Sequence, residues 1–354
     1  MEILDCERIT KAKRAFTTRR IPTERMRMLL SPPAEPKAGD LVLARIETLG
    51  HHKSVELPSG RKAALAATDE VVLAYGNRYA PDQFEAMVPA DLGPCHMVAA
   101  GGVASRAMTW HDKTMSPTAI VPLGLVTNSC GRVLNVADFA VAPQPARLTP
   151  PTSMNSGKTT TAASLVRGLA RAGFAVGAAK VTGTGAGNDI WSMIDAGACA
   201  ALDFTDGGFA TTYLAPIDAL VEGAQRLLHS LAAAGAEIAV LEVADGLFQS
   251  ETAALAKSPK FRQLTGGVLF AAGDAMGAVA GCERLRELGY DVLGLSGLLT
   301  CSPLARREAG AANAPVYGVK ELTDPATAAN IVSGILNPRL MVIAGGAQCL
   351  YQES

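Results

Sequence analysis

Two rhythms of apolar and polar positions divide the chain. From about residue 37 to 142, short apolar stretches recur with turn residues between them: 41–46, then 53–57 and 61–65 flanking Pro58, Ser59 and Gly60, then 70–75. Strands at that spacing predict a small barrel or sandwich. Residues 99–108 read as a short helix, and 120–126 with 132–136 read as a hairpin across 128–131. From about 143 onward, apolar strands alternate with Ala- and Leu-rich amphipathic stretches. The strands are expected at 175–179, 238–243, 267–271, 292–298, 316–319 and 340–343, and the helices at 162–172, 218–234, 275–288, 303–312 and 325–336. This alternation predicts a mostly parallel sheet covered by helices on both faces, with ligands bound beyond the carboxyl ends of the strands. Ahead of both regions, residues 1–36 mix Arg8, Lys11, Lys13, Arg14, Arg19, Arg20, Arg25 and Arg27 with Glu2, Asp5, Glu7 and Glu24, and end in a proline-rich hinge at 31–36. A solvated helical arm is the expectation there.

The chain has 354 residues, 49% of them apolar and 18% charged, which is enough for two domains with real cores. A net charge of −1 gives no general attraction to nucleic acid or anionic membrane. No apolar run is long enough to span a bilayer and no signal-peptide pattern opens the sequence. The seven cysteines are scattered, with no C-x-x-C pair, which suggests reduced thiols, a cytoplasmic setting and no structural zinc.

Residues 152–161 carry the strongest chemical signal. Gly157, Lys158 and Thr159 match the end of the phosphate-loop pattern G-x-x-x-x-G-K-[ST], although Thr152 stands in place of its first glycine. Backbone amides around Asn155, Ser156, Gly157, Thr159 and Thr160 would face phosphate oxygens at the positive end of the following helix. Lys158 would reach the terminal phosphates, and the Thr159 hydroxyl would complete a Mg²⁺ site. The prolines at 150 and 151 make the preceding segment a poor central strand.

Further candidates follow later strands. Lys180 and Asp189 bracket a stretch rich in glycine, whose backbone would approach a bound group closely. Lys180 would neutralise charge on a transferred phosphoryl group or hold an anionic substrate, and Asp189 would hold Mg²⁺ or act as a base. Glu242 ends an apolar strand and is the preferred metal-directed carboxylate, with Asp245 next, although either would also serve as a helix cap. Asp203, Asp206 and Thr211 to Tyr213 lie on loops suited to closing over a substrate. Ser302 reads as a helix cap before Pro303, with a purine contact as the alternative. Arg78, Tyr79 and His96 sit in polar loops of the first region and are more readily structural than substrate-binding.

The phosphate loop, the strand ending in Lys180 and the strand ending in Glu242 together resemble the dethiobiotin synthetase group of P-loop NTPases. The wider class of that group includes cobyrinate amidating enzymes and molybdopterin-guanine dinucleotide accessory proteins. The resemblance covers roughly residues 152–345. It implies that Lys158 and Thr159 bind nucleotide phosphates and Mg²⁺, that Lys180 contacts the substrate or its activated carboxylate, and that Glu242 sits at the metal. The glycine that follows the acidic residue in those relatives is Val243 here, and the first region has no counterpart in dethiobiotin synthetase.

The domain expectation is therefore a basic arm (1–36), a smaller β-rich domain (37–142) and an α/β P-loop nucleotide-binding domain (143–354). The functional expectation is a Mg²⁺- and ATP-dependent enzyme, with GTP not distinguished, acting on a small polar or anionic metabolite. It would be a kinase or a carboxylate-activating ligase, with Lys158, Lys180, Asp189 and Glu242 as catalytic residues. A homo-oligomer is expected, without membrane or nucleic-acid partners. The alternatives are a nucleotide-gated accessory protein for cofactor or metal delivery, and a polynucleotide kinase, against which the missing basic-aromatic face argues.

Overall fold

The computed structural model describes residues 1–142, 151–154 by their backbone, and 157–333. Asn155, Ser156 and the strand expected at 340–343 lie outside the described residues.

The first domain is built on strands that close on themselves. Thr118–Thr127 pairs with Leu41–Thr48, which pairs with Glu70–Tyr75. Glu70–Tyr75 pairs with Val103–Trp110, that strand with Cys95–Ala99, and Cys95–Ala99 returns to Thr118–Thr127. Closure into a barrel removes free sheet edges. Alternation along the strands divides the side chains: Val42, Ala44, Val71 and Leu73 fill the interior, while Leu41, Leu43, Val72 and Ala74 face outward.

The outward face explains the N-terminal segment. Leu4, Ile9, Ala12, Ile21, Met26 and Leu29 cover it and are buried. Residues 1–36 are thus no solvated helical arm. They hold one short helix, Cys6–Lys11, and the strands Glu2–Ile3, Lys13–Arg14 and Met28–Leu30, which join the barrel sheet. Residues 99–108 also depart from expectation. Gly102 turns the chain at φ 94°, and Val103–Trp110 is a strand paired on both sides, so long-range pairing overrides local helix propensity.

The second domain is α/β. Its sheet strands are β1 (Pro151–Met154), β2 (Val176–Lys180), β3 (Ala200–Asp203), β4 (Ile238–Val243), β5 (Gly267–Ala271) and β6 (Val292–Ser296). All pairs are parallel, in the order β3-β2-β4-β1-β5-β6. Proline does not spoil the central strand: Pro151 is its first residue, a position where a missing N–H is tolerated. The helices α1 (Lys158–Arg171), α2 (Asn188–Asp195), α3 (Ile217–Ala233) and α4 (Ala275–Glu287) cover the sheet. Alternate residues of β2 and β4 point to two separate cores, Ala179 and Leu241 to one, Ala178 and Val240 to the other, so both faces are buried. The strand expected at 316–319 reduces to a single bridge, Leu295 to Val316, because Gly318 opens the helix Val319–Thr323.

Candidate functional site

The chain order reverses around β1, which lies between β4 and β5, and the candidate residues gather at the carboxyl ends of β1, β2 and β4. Gly157 precedes α1 with φ 84°, and a Cβ there would stand 3.0 Å from the Gly297 Cα, so only glycine brings the loop this close to the turn after β6. Lys158 and Thr159 open α1, with Thr160 exposed beside them.

Thr159 Oγ1 lies 3.0 Å from Glu242 Oε1 and 3.2 Å from Asp189 Oδ1, between two carboxylates. The other oxygen of Asp189 is paired with the Lys180 ammonium. Parallel register sets Lys180 level with Glu242 on one side and Asp203 on the other, which makes a row of alternating charge along the sheet edge. Among the described residues, Glu242 Oε2 and Asp203 Oδ2 are buried side-chain oxygens without a hydrogen-bond partner. Asp245 is not the cap of the next helix, a role taken by Gln249. Its backbone is left-handed, with φ 65°, and the charges of Lys158 and Lys180 act on its carboxylate.

Burial dominates the electrostatics. It pushes the Glu242 and Asp245 carboxyls above the usual range, against the opposing pull of Lys180 and Lys158. It lowers the Lys158 ammonium, which Glu242 and Asp245 only partly offset. Burial also acts to lower Lys180, but Asp189 and Glu242 outweigh it, so this ammonium stays charged. A hydroxyl between two carboxylates, one with a buried orphan oxygen, is a hard oxygen donor set that suits Mg²⁺.

These shifts predict a stability effect. The Glu242 carboxyl binds its proton more tightly in the folded chain than in the unfolded one, so the ionised form costs stability as pH rises through the folded value. In EDTA, Glu242→Gln should therefore melt higher than wild type at pH 8, with the difference closing toward acid pH, where Glu242 is protonated in both states. Thermal melts across pH test this, and a variant that melts lower at pH 8 rejects it.

Of the glycines after Lys180, Gly185 and Gly187 pack against the first domain, while Gly183 lies beside Lys180 and Phe204. A Cβ on Gly101 would overlap the Gly185 carbonyl, and one on Gly185 would overlap the Thr17 methyl. Arg19 of the first domain enters here, stacked 3.9 Å over the Phe16 ring. It donates to Asp203 Oδ1 at 2.9 Å and Asp206 Oδ2 at 2.5 Å and also bonds Thr205, while Arg20 reaches Asp206 at 3.4 Å. Asp203 and Asp206 thus anchor the first domain. Thr212 Oγ1 accepts from the Gly183 amide at 2.8 Å, and Thr211 bonds the Asn77 carbonyl, so that loop is also interfacial.

Other candidates are brought elsewhere. Arg78 is buried with His52 and Gln83 inside the first domain, and His96 Nδ1 accepts from the Ala107 amide at 3.2 Å. Tyr79 lies against Tyr213 with ring centroids 5.4 Å apart. Ser302 caps the helix Pro303–Glu308, as expected. Arg19, which bonds the 203–206 loop, and Glu56, which bonds Gly187 of the glycine-rich segment, were not foreseen. The strand at 200–203 was also missed, although its apolar run ending in an acid repeats the pattern of 238–242.

No helix among the described residues is long and apolar enough to cross a membrane. No protein-family model matches the sequence, and no curated protein does. Among solved structures, the chain is similar to the signal recognition particle 54 kDa protein of Aeropyrum pernix K1, solved in complex with GDP, at 19% identity and a TM-score of 0.37. The match covers 60% of this chain and 52%, about half, of that one. The signal recognition particle receptor FtsY of Elizabethkingia anophelis gives 14% identity and a TM-score of 0.36 over 57% of this chain and 69% of that one. The cell division protein FtsY of Thermotoga maritima gives 15% and 0.35 over 56% and 70%. No functional assignment follows from likenesses of this size.

Proposed function

We propose that this chain is a Mg²⁺-dependent enzyme that transfers a phosphoryl group from a nucleoside triphosphate, ATP or GTP, to a small polar or anionic metabolite. The product is either a phosphorylated acceptor or a carboxylate activated for ligation. One observation carries the proposal: Thr159 Oγ1 stands between Asp189 and Glu242 at the first turn of α1, one residue from Lys158 and beside Lys180. The resemblance to the dethiobiotin synthetase group supports it.

Phosphate oxygens would lie against the amides at the start of α1, including those of Gly157, Thr159 and Thr160, and by the loop pattern Asn155 and Ser156. Lys158 neutralises their charge. Thr159, Glu242 and Asp245, with Asp189 in reach, would hold Mg²⁺, which when bound offsets charge on the terminal phosphates. Lys180 stays charged beside Asp189 and Glu242 and orients the acceptor or its activated carboxylate. Positioning and charge neutralisation are most of what such a transfer needs from a protein.

The test is nucleotide turnover with ATP or GTP and Mg²⁺ across a panel of small carboxylates and alcohols, with products identified by mass spectrometry. An acceptor that stimulates turnover and gains a phosphoryl group or an amide bond is the expected result. Turnover stimulated only by a protein partner would replace the proposal with a nucleotide-gated accessory role. Absence of nucleotide binding at millimolar concentration would overturn both.

A further inference from the structure

Helix α2, which carries Asp189, is held from the other domain. Glu56, at the end of the strand Ser54–Glu56, is 3% exposed. Its Oε2 accepts from the Gly187 amide at 2.9 Å and its Oε1 from the Trp191 indole N–H at 3.3 Å. Gly187 is the residue just before α2, so the carboxylate sits at the positive end of that helix, and no cation is within ion-pair distance of it among the described residues. The fit leaves no play. A Cβ on Gly187 would stand 2.6 Å from Glu56 Oε1 and 2.7 Å from the Phe16 ring, and one on Gly60 would overlap the Trp191 indole. One turn of helix thus has a first-domain carboxylate at its start and, at its second residue, the carboxylate that pairs with Lys180 and Thr159.

We propose that Glu56 is a positioning residue: through the start of α2 it fixes Asp189, so that Mg²⁺–nucleotide binding and the domain interface are coupled. The inference rests on the nucleotide reading above. It adds that the first domain shapes the metal side of the site and leaves the phosphate side alone, because among the described residues the Glu56 carboxylate bonds to Gly187 and Trp191 and not to Lys158 or Thr159. Coupling of this kind is reciprocal, so a change at the metal side must also be felt at the Glu56–Trp191 contact.

Trp191 supplies the readout. The chain has two tryptophans, and Trp110 is exposed at the far end of a barrel strand, so Trp110→Phe leaves Trp191 as the only tryptophan fluorophore. In that background, adding Mg²⁺ to the ATP-loaded protein should change Trp191 emission. Glu56→Gln, which offers one acceptor oxygen for two donors, should abolish that change and raise the half-saturating Mg²⁺ concentration about tenfold, the usual size for a group supporting a metal ligand. Equilibrium dialysis with radiolabelled ATP in EDTA should show unchanged nucleotide affinity. Should Glu56→Gln fail to fold, Trp191→Phe keeps the ring beside Gly60, removes the donor, and should show the same Mg²⁺ shift by dialysis. Unchanged Mg²⁺ dependence and emission response overturn the inference. So does an equal loss of affinity with and without Mg²⁺, which would mark Glu56 as merely structural. If the wild type binds no ATP in dialysis, it is the nucleotide reading that has failed.

Discussion

Lys158→Ala should lower Mg²⁺–nucleotide turnover by about a thousandfold, in line with the loss of one preorganised charge-stabilising donor. The argument starts from burial. The Lys158 ammonium is largely withdrawn from water and pushed below its ordinary pKa, so its charge is maintained at a cost that Glu242 and Asp245 only partly offset. A protein that holds a cation in this condition gains nothing from it in the empty state. The gain comes when a more highly charged anion arrives. Alanine should therefore leave the melting temperature of the nucleotide-free protein unchanged or slightly raised while nucleotide affinity and turnover collapse. Coupled ADP release, dialysis and thermal melts on the two proteins separate these effects. Equal binding and turnover in wild type and variant would remove Lys158 from the site and the phosphate loop with it.

Arg19→Ala has the opposite profile, with the larger effect on stability. Asp203 has no exposed side-chain surface and Asp206 has 7%, and Arg19, at 14%, is the guanidinium that pairs with both. Removing one partner of a buried ion pair typically costs about 3–5 kcal/mol, because the remaining charge is stranded away from water. Arg20 is more exposed and reaches only Asp206. At about 2–4 °C per kcal/mol for a domain of this size, the melting temperature should fall by roughly 10 °C. The deficit should depend on pH. Burial already raises the Asp206 carboxyl even with Arg19 present, so without the arginine the folded state favours the protonated acid more strongly. A raised folded pKa gives stability that is present at low pH and lost as pH rises through the folded value, so the deficit should shrink between pH 8 and pH 5. A pH-independent change of a degree or two would show that the cluster does not hold the domains together.

The sequence showed the second domain more readily than the first, and the reason is the range of the forces involved. β4 and β5 fall on the residues expected because each is an apolar run between helices, broken in β4 only by Glu242, and burial on both faces needs little more. Lys180, Asp189 and Glu242 stood out as candidates because each lies at or just beyond the end of such a strand, and the structure brings the three together. The strand at 103–110 was not, because the alanines at 99, 100, 104 and 107 favour a helix until neighbours distant in sequence pair with it on both sides. The N-terminal segment was misread for a related cause. Its buried residues are scattered over a helix, a 3₁₀ turn, a short strand and the connections between them, so no single period runs through them. Arg19 and Glu56 lie outside any local pattern, since each becomes meaningful only against residues of the other domain.

The placement of Arg19 bears on how the chain is made. The composition break near residue 142 invites a cut there, but electrostatics would not respect it. An isolated first domain would present Arg19 and Arg20 without their carboxylates, and an isolated second domain would hold Asp203 and Asp206 without their cations. During synthesis the arginines emerge long before the acids that neutralise them, so the early part of the protein must wait, charged and unmatched, for the later part. A cut that removed Arg19 and Arg20 would accordingly take out the rivet of the finished molecule and leave two buried carboxylates without their cations.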